Sequence, residues 1–311
     1  MGRIHDALKK AERERARKRS EASGAAESGG TSSSNVVRAP KAPRSSPPPA
    51  APEPIREAPA SPPRSKEKKA APAGRVAQVL SRVTESVPTM GGVNQFADAL
   101  LSWHSPADFR SEQFRSIRTN LSVLDPSPEI LALTSAVAHE GVAIVAANLA
   151  VCFAEGGNEN VLIVDANLRS PEVESIFGLT RDNPGLSQVL ADRAPPEEVV
   201  RPTGVDGLSI VPAGSPVANP GGLITGLRVA RALTTWRSAF DRVLIVTPPV
   251  SVASDASVVG HEADGVLFVV KLGGTPRRMT ERAIDSLDMT GVRLVGCVLT
   301  NADRADALDS V

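Results

Sequence analysis

A chain of 311 residues with 35 Lys and Arg against 35 Asp and Glu has no formal net charge, which excludes a global basic field suited to nucleic acid. Tyr is absent and aromatic residues make up 3%, so the core must be built from Val, Leu, Ile and Ala, with little left for stacking on bases. No apolar run approaches the ~20 residues of a spanning helix, and a soluble protein is expected.

The N-terminal stretch MGRIHDALKKAERERARKRS is basic, with eight Lys or Arg and three acids. It lacks the apolar segment of a signal peptide, and Asp6 breaks the myristoylation pattern that Met1-Gly2 would open. Ile4, Ala7, Leu8 and Ala11 fall on one helical face, so residues 1–19 read as a basic amphipathic helix. Too narrow to fold alone, it is a docking element for a partner groove or an anionic membrane surface, or a solvated tail. The absence of Trp and Phe from its stripe favours a protein partner. Residues 20–104 are largely Pro, Ala and Ser with few large apolar side chains, the composition of a disordered tether. Short helices are expected within it near 76–83 and 95–103. A folded domain is expected over 105–303, followed by a short tail, 304–311.

Inside that domain the sequence predicts a helix over 106–123, then apolar strands at EILALTS, NVLIVDA, GLSIVPA, RVLIVTP, GVLFVVK and RLVGCVLT. Helices are predicted between them at 141–155, 227–239, 254–262 and 276–289. Continuous β-branched runs without polar alternation belong to strands covered on both faces. The chain therefore predicts a doubly wound, mostly parallel α/β sheet with helices on both faces. Cys152 and Cys297 sit in apolar runs and read as reduced core thiols. Asp255 and Asp264 read as helix-cap or loop residues, and Trp103 and His104 as packing residues.

Ligands of such sheets bind beyond the carboxyl ends of the strands. After the first strand, TSAVAHEGVAIVAANLA has the setting of a phosphate-binding loop but not its chemistry. Such a loop uses backbone N–H groups at a helix N-terminus, a Lys on the phosphates and a Ser or Thr hydroxyl on magnesium. Gly141 and the helix start remain, with Glu140 and a solvated His139 before them. Val142 occupies the Lys position, and Ala143 and Ile144 the hydroxyl positions. Losing both groups weakens triphosphate binding by about two to four decades. After the second strand, DANLRSP offers Asp165 to a metal or water, Arg169 to a phosphate, and Asn167 where a second carboxylate would serve. Val246 ends the fourth strand where a hydrolase places Asp. Asn301 follows the last strand within reach of an adenine edge.

The series SxxxxEG…AANLA, VLIVDANLRSP, NPGLSQVL, GLSIVPAG, Asn219-Pro220, VLIVTPP, ADGVLFVV and VGCVLTN resembles the kinase domain of the bacterial tyrosine kinases of exopolysaccharide and capsule synthesis. These are relatives of the ParA/MinD-type P-loop ATPases, and the resemblance spans about 106–303. It implies a P-loop NTPase fold and ATP-dependent protein-tyrosine kinase activity. Glu112, Arg115 and Arg118 match the family's E-x-x-R-x-x-R element, which implies oligomerisation with like chains. The resemblance also implies a membrane chain-length or export protein as partner, and a cytoplasmic location peripheral to the inner membrane. Against the family pattern, Val142, Ala143 and Ile144 replace G-K-S/T chemistry, Asn167 replaces the second acid, and Val246 replaces the third. No residue of the chain is Tyr, so it is not its own tyrosine substrate. The expectation is a kinase-like protein without an intact catalytic set, requiring no cofactor and holding ATP or ADP with magnesium weakly if at all. Two other readings stay open: residual ATPase or kinase activity with Arg169, Arg277 or Arg278 replacing the Lys, and a positioning scaffold of the MinD/ParA type.

Overall fold

The computed structural model describes residues 96–157, 159–180 and 184–302. The expected docking helix, the tether up to residue 95 and the tail 304–311 lie outside the described residues. In chain order come α1 (Leu101–His104), α2 (Phe109–Ser122), β1 (Ile130–Ser135), α3 (Val142–Ala154), β2 (Val161–Asp165), α4 (Val173–Ile176), α5 (Leu186–Leu190) and β3 (Arg201–Pro202). Then follow β4 (Leu208–Val211), α6 (Pro220–Leu223), α7 (Gly226–Arg237), β5 (Arg242–Val246), α8 (Asp255–Glu262), β6 (Gly265–Lys271), α9 (Arg277–Met289) and β7 (Leu294–Thr300).

The strands form one sheet in the order β3-β4-β2-β5-β1-β6-β7. All neighbours pair in parallel except β3, which lies antiparallel on β4. The apolar runs explain this arrangement, because every residue of β1, β2, β4 and β5 is buried. Alternate side chains feed two core layers. On one face Ile130, Val243 and Phe268 pack with Trp236, Val259 and Leu287 of the helices α7, α8 and α9. On the other, Leu131, Ile163 and Leu244 meet α3 through Ala146, Leu149 and Phe153. The Ala-rich sequence of α3 lets its backbone lie close to the sheet, and this helix is buried along most of its length. The expected doubly wound α/β fold is therefore the observed one.

Three details depart from the sequence reading. Packing begins before Ser105: Leu100 is fully buried, and the Ser102 N–H donates to Asn148 Oδ1 at 2.8 Å while Asn148 Nδ2 donates to the Ala99 carbonyl at 2.9 Å. Phe96 adds edge contacts to Phe177 and Trp103. The clue was a lone polar residue, Asn148, inside the otherwise apolar helix. Second, the two-residue β3 carries no readable pattern, and its Pro202 is tolerated because it sits on a sheet edge. Third, Cys152 is buried as expected but Cys297 is exposed. It lies on the edge strand β7, where Leu299 is also half exposed.

Two of the sequence motifs touch. Gly185 of NPGLSQVL runs so close to the β4 exit that an added Cβ would stand 2.1 Å from the Pro212 carbonyl oxygen. Only glycine permits that approach, and it seats α5 against the loop leaving β4.

Candidate functional site

The loop between β1 and α3 keeps the backbone of a phosphate cradle. Gly141 stands in the left-handed region at φ 87°, and no side chain caps the start of α3. The first N–H groups of that helix therefore point outward without a side-chain acceptor, next to the positive end of its dipole. His139, exposed, is also left-handed at φ 65°. The loop is held rigidly from behind. Buried Glu140 accepts from the Val137 N–H (2.9 Å), from the Lys271 N–H (3.0 Å) and from the Thr275 hydroxyl (2.6 Å). The Thr300 hydroxyl donates to the Glu140 carbonyl at 3.0 Å. Glu140, expected among the residual nucleotide contacts, thus has its carboxylate turned inward as a latch to the end of β6 and the loop before α9.

The side chains that would supply charge are absent from this cradle. Val142 is half-buried, Ala143 is buried, and Ile144 presents an apolar surface to solvent. A cation at the loop's mouth must then come from elsewhere. Arg277, one candidate, bonds Glu281 on its own helix at 2.7 Å. Arg278 is exposed on the same first turn of α9. Arg169 reaches Asp255 at the start of α8, 3.5 Å away. Burial raises the Asp255 carboxyl above its ordinary range, and Arg169 opposes that rise. Arg169 is therefore paired with a buried acid in the first turn of α8.

Asp165 ends β2 and lies fully buried. Its oxygens accept from three backbone N–H groups, those of Asn167, Glu172 and Val173, each at 3.0 Å. Burial is the dominant influence and lifts its carboxyl to about 7, with the three N–H bonds pulling the other way. Asn167 curls back on its own turn, donating to the Ser170 carbonyl and accepting from the Ser170 N–H. The DANLRSP segment is thus a self-satisfied loop with Asp165 as its hub. Opposite Asp165 in the β2–β5 register stands Val246, buried. Magnesium favours an octahedron of oxygens. A fully buried carboxylate with three of its about four acceptor sites taken by N–H groups, beside an aliphatic side chain, does not fit that need. Asn301, left-handed at φ 58°, donates its amide to the Leu272 carbonyl at 3.2 Å and so ties β7 to the exit of β6.

At the far end of α3 the picture reverses. Arg118 donates to the Cys152 carbonyl at 2.6 Å, satisfying one of the last carbonyls of that helix. Arg115 forks onto Glu155 with bonds of 2.9 and 2.8 Å, and also bonds the Pro106 carbonyl and Glu112. The Glu155 hydrogen bond is the main cause that raises the Arg115 guanidinium. Both arginines, expected at an oligomer contact, are engaged within the protomer. Glu112 remains largely exposed.

A sheet of this order with a glycine loop leading into a buried helix is the frame of the P-loop kinases and ATPases, stripped here of the loop's cation. The relatives narrow the class further. Tyrosine-protein kinase YwqD of Bacillus subtilis is 32% identical over 202 residues, covering 64% of this chain and 84% of the relative. Tyrosine-protein kinase wzc of Salmonella typhimurium is 28% identical over 226 residues, 72% of this chain but only 31% of that longer protein. Among solved structures, the kinase domain of the Escherichia coli tyrosine kinase ETK superposes with a TM-score of 0.62 at 26% identity, over 71% of this chain and 88% of that one. No family model matches. The chain belongs to the bacterial tyrosine-protein kinase family.

Proposed function

We propose that this chain is a tyrosine-kinase-like protein that has lost catalysis and acts by association. It would oligomerise with kinase-like homologues and support exopolysaccharide or capsule production at the cytoplasmic face of the membrane, through a membrane export or chain-length protein. The observation that carries the reading is the contrast at the site. The cradle's backbone, its Glu140 latch and the Thr300 tie are intact, while Val142 and Val246 stand where charge handling is needed. Random decay would loosen the frame along with the chemistry. Phosphoryl transfer depends on positioning and neutralisation of charge, and aliphatic side chains supply neither.

The absence of Tyr from the sequence agrees with a protein that is not its own tyrosine substrate. Among the described residues no helix is long and apolar enough to cross a membrane, in keeping with attachment through a partner. The domain limits expected from sequence, with a docking helix at 1–19 and a tether before the folded unit, fit the same role. Oligomerisation through α2 would use exposed Glu112 and require Arg115 or Arg118 to exchange their contacts with α3.

The test is to mix the full chain with an active homologous tyrosine kinase and measure ATP turnover, tyrosine phosphorylation and assembly by light scattering. The expected result is no turnover by this chain alone, together with a changed phosphorylation level or assembly state of the homologue. Turnover by the chain alone that vanished on Asp165→Ala would establish residual catalysis instead. A homologue indifferent to the chain would refute the association reading.

A further inference from the structure

A second cleft, of about 430 Å³, lies between the loop that follows α5 and the outer face of α7. It is distinct from the phosphate cradle, since none of its lining residues belongs to the loop between β1 and α3. Three guanidinium side chains line it, those of Arg193, Arg228 and Arg231, against the single carboxylate of Asp192. Arg228 and Arg231 are spaced i,i+3 on one helix, and like charges at that spacing repel. Arg228 donates to the Gly222 carbonyl at 3.2 Å. Arg193 and Arg231 are exposed, and neither takes part in an ion pair among the described residues.

The walls are fixed before any ligand arrives. Buried Trp236 donates its indole N–H to the Pro196 carbonyl at 3.1 Å, pinning the loop to α7. The Asp192 and Arg193 N–H groups close the end of α5 on the Val189 and Gln188 carbonyls. Asp192 takes a left-handed φ of 55° to do so, which turns Arg193 toward the cleft. Pro195, Pro196 and Ala232 supply an apolar wall beside the charges.

Guanidinium forks match the oxygens of phosphate, and a volume within the ~300–1,000 Å³ of small-ligand sites exceeds what a bare phosphate fills. We propose that this cleft binds a phosphate monoester carried on a ring-sized organic group. The phosphate sits among Arg193, Arg228 and Arg231, and the ring lies against the two prolines. An aryl phosphate and a sugar phosphate share this chemistry. The site is independent of the nucleotide cradle and of whether the chain retains catalysis.

Calorimetry on the full chain tests it, with phosphotyrosine, glucose 1-phosphate and inorganic phosphate as probes at low salt. One ester should bind below millimolar, with inorganic phosphate at least about tenfold weaker. The Arg193→Ala/Arg231→Ala double variant should lose about 100-fold in that affinity, roughly tenfold for each charge-assisted bond. Arg231→Lys, which keeps the charge but not the fork, should fall between the two. Both residues are exposed, so an unchanged melting temperature is the folding control. The ester that binds identifies the source. No ester binding at ~1 mM, equal binding by inorganic phosphate, or an unaffected double variant would each overturn the proposal.

Discussion

The two ends of α3 have met opposite fates. Its C-terminus is bound by two arginines, Arg118 on the Cys152 carbonyl and Arg115 on Glu155. Its N-terminus, the end that faces a ligand in a P-loop protein, has a left-handed glycine, no capping side chain, and Val142 and Ile144 around it. Both ends carry unpaired backbone groups and half of the same dipole. At one end Arg118 takes the Cys152 carbonyl and backbone N–H groups take those of Val151 and Ala154, and the other end is left pointing outward with no cation to draw an anion in. Backbone geometry is here independent of the loop's side chains: it is held by Glu140, Thr275 and Thr300 from behind, and so does not depend on what Val142 is.

The largest expected effect comes from undoing that difference. Val142→Lys with Ala143→Ser and Val246→Asp should raise magnesium–ATP affinity by about two to four decades over the native chain, measured by calorimetry. No gain would mean that the loop backbone itself, with His139 left-handed, is no longer a cradle. A second effect concerns the buried acid behind the loop. Asp165 has a folded-state value of about 7 against an ordinary 3.8. Between these the folded state keeps a proton that the unfolded chain has released. Stability should accordingly fall as pH rises from about 4 to 7, by at most on the order of 4 kcal/mol, and level off above. Chemical denaturation across that range should show the slope, and Asp165→Asn should flatten it while lowering stability throughout.

Much of this was legible beforehand, and the exceptions share a cause. Continuous apolar runs such as VLIVD and RVLIV read directly as buried parallel strands, because burial on both faces leaves no other composition possible. The departure at the loop is legible too, since Val142 and Val246 are apolar where the family pattern has Lys and Asp. What could not be read was where polar side chains point. Glu140 was expected toward a ligand and faces inward; Arg169 was expected on a phosphate and pairs with Asp255. Asn301, read as facing an adenine edge, donates to the Leu272 carbonyl, a partner that the sequence does not reveal. The direction of a side chain depends on partners far along the chain, here 131 residues away for Glu140 and Lys271, and periodicity carries no record of them.

The latch offers a smaller, local break. Glu140→Gln keeps one acceptor but sets an NH₂ group against the Val137 N–H or against the Lys271 N–H and the Thr275 hydroxyl. A buried donor left unmatched costs about 2 kcal/mol. The loss should appear in denaturant unfolding, with faster amide exchange at residues 137–141 than at the C-terminal end of α3. Uniform exchange along the helix would show that the loop is not separately held.

At the other end, the two arginines should not count equally. Arg118→Ala removes a charge-assisted bond to a carbonyl that has no further intrahelical partner, and should cost about 1.5 kcal/mol. Arg115→Ala removes a pair whose members are both partly exposed, so water screens it and the cost should stay below about 1 kcal/mol. Salt separates them further: raising ionic strength should erode the Arg115 contribution first, because its partner is a charge and the partner of Arg118 is a helix carbonyl. If these residues instead meet a neighbouring copy, both variants should shift the assembly state by more than they shift monomer stability. Sedimentation of each variant beside its unfolding curve distinguishes a helix cap from an oligomer contact. Equal losses in stability with no change in assembly would assign the element to the fold alone.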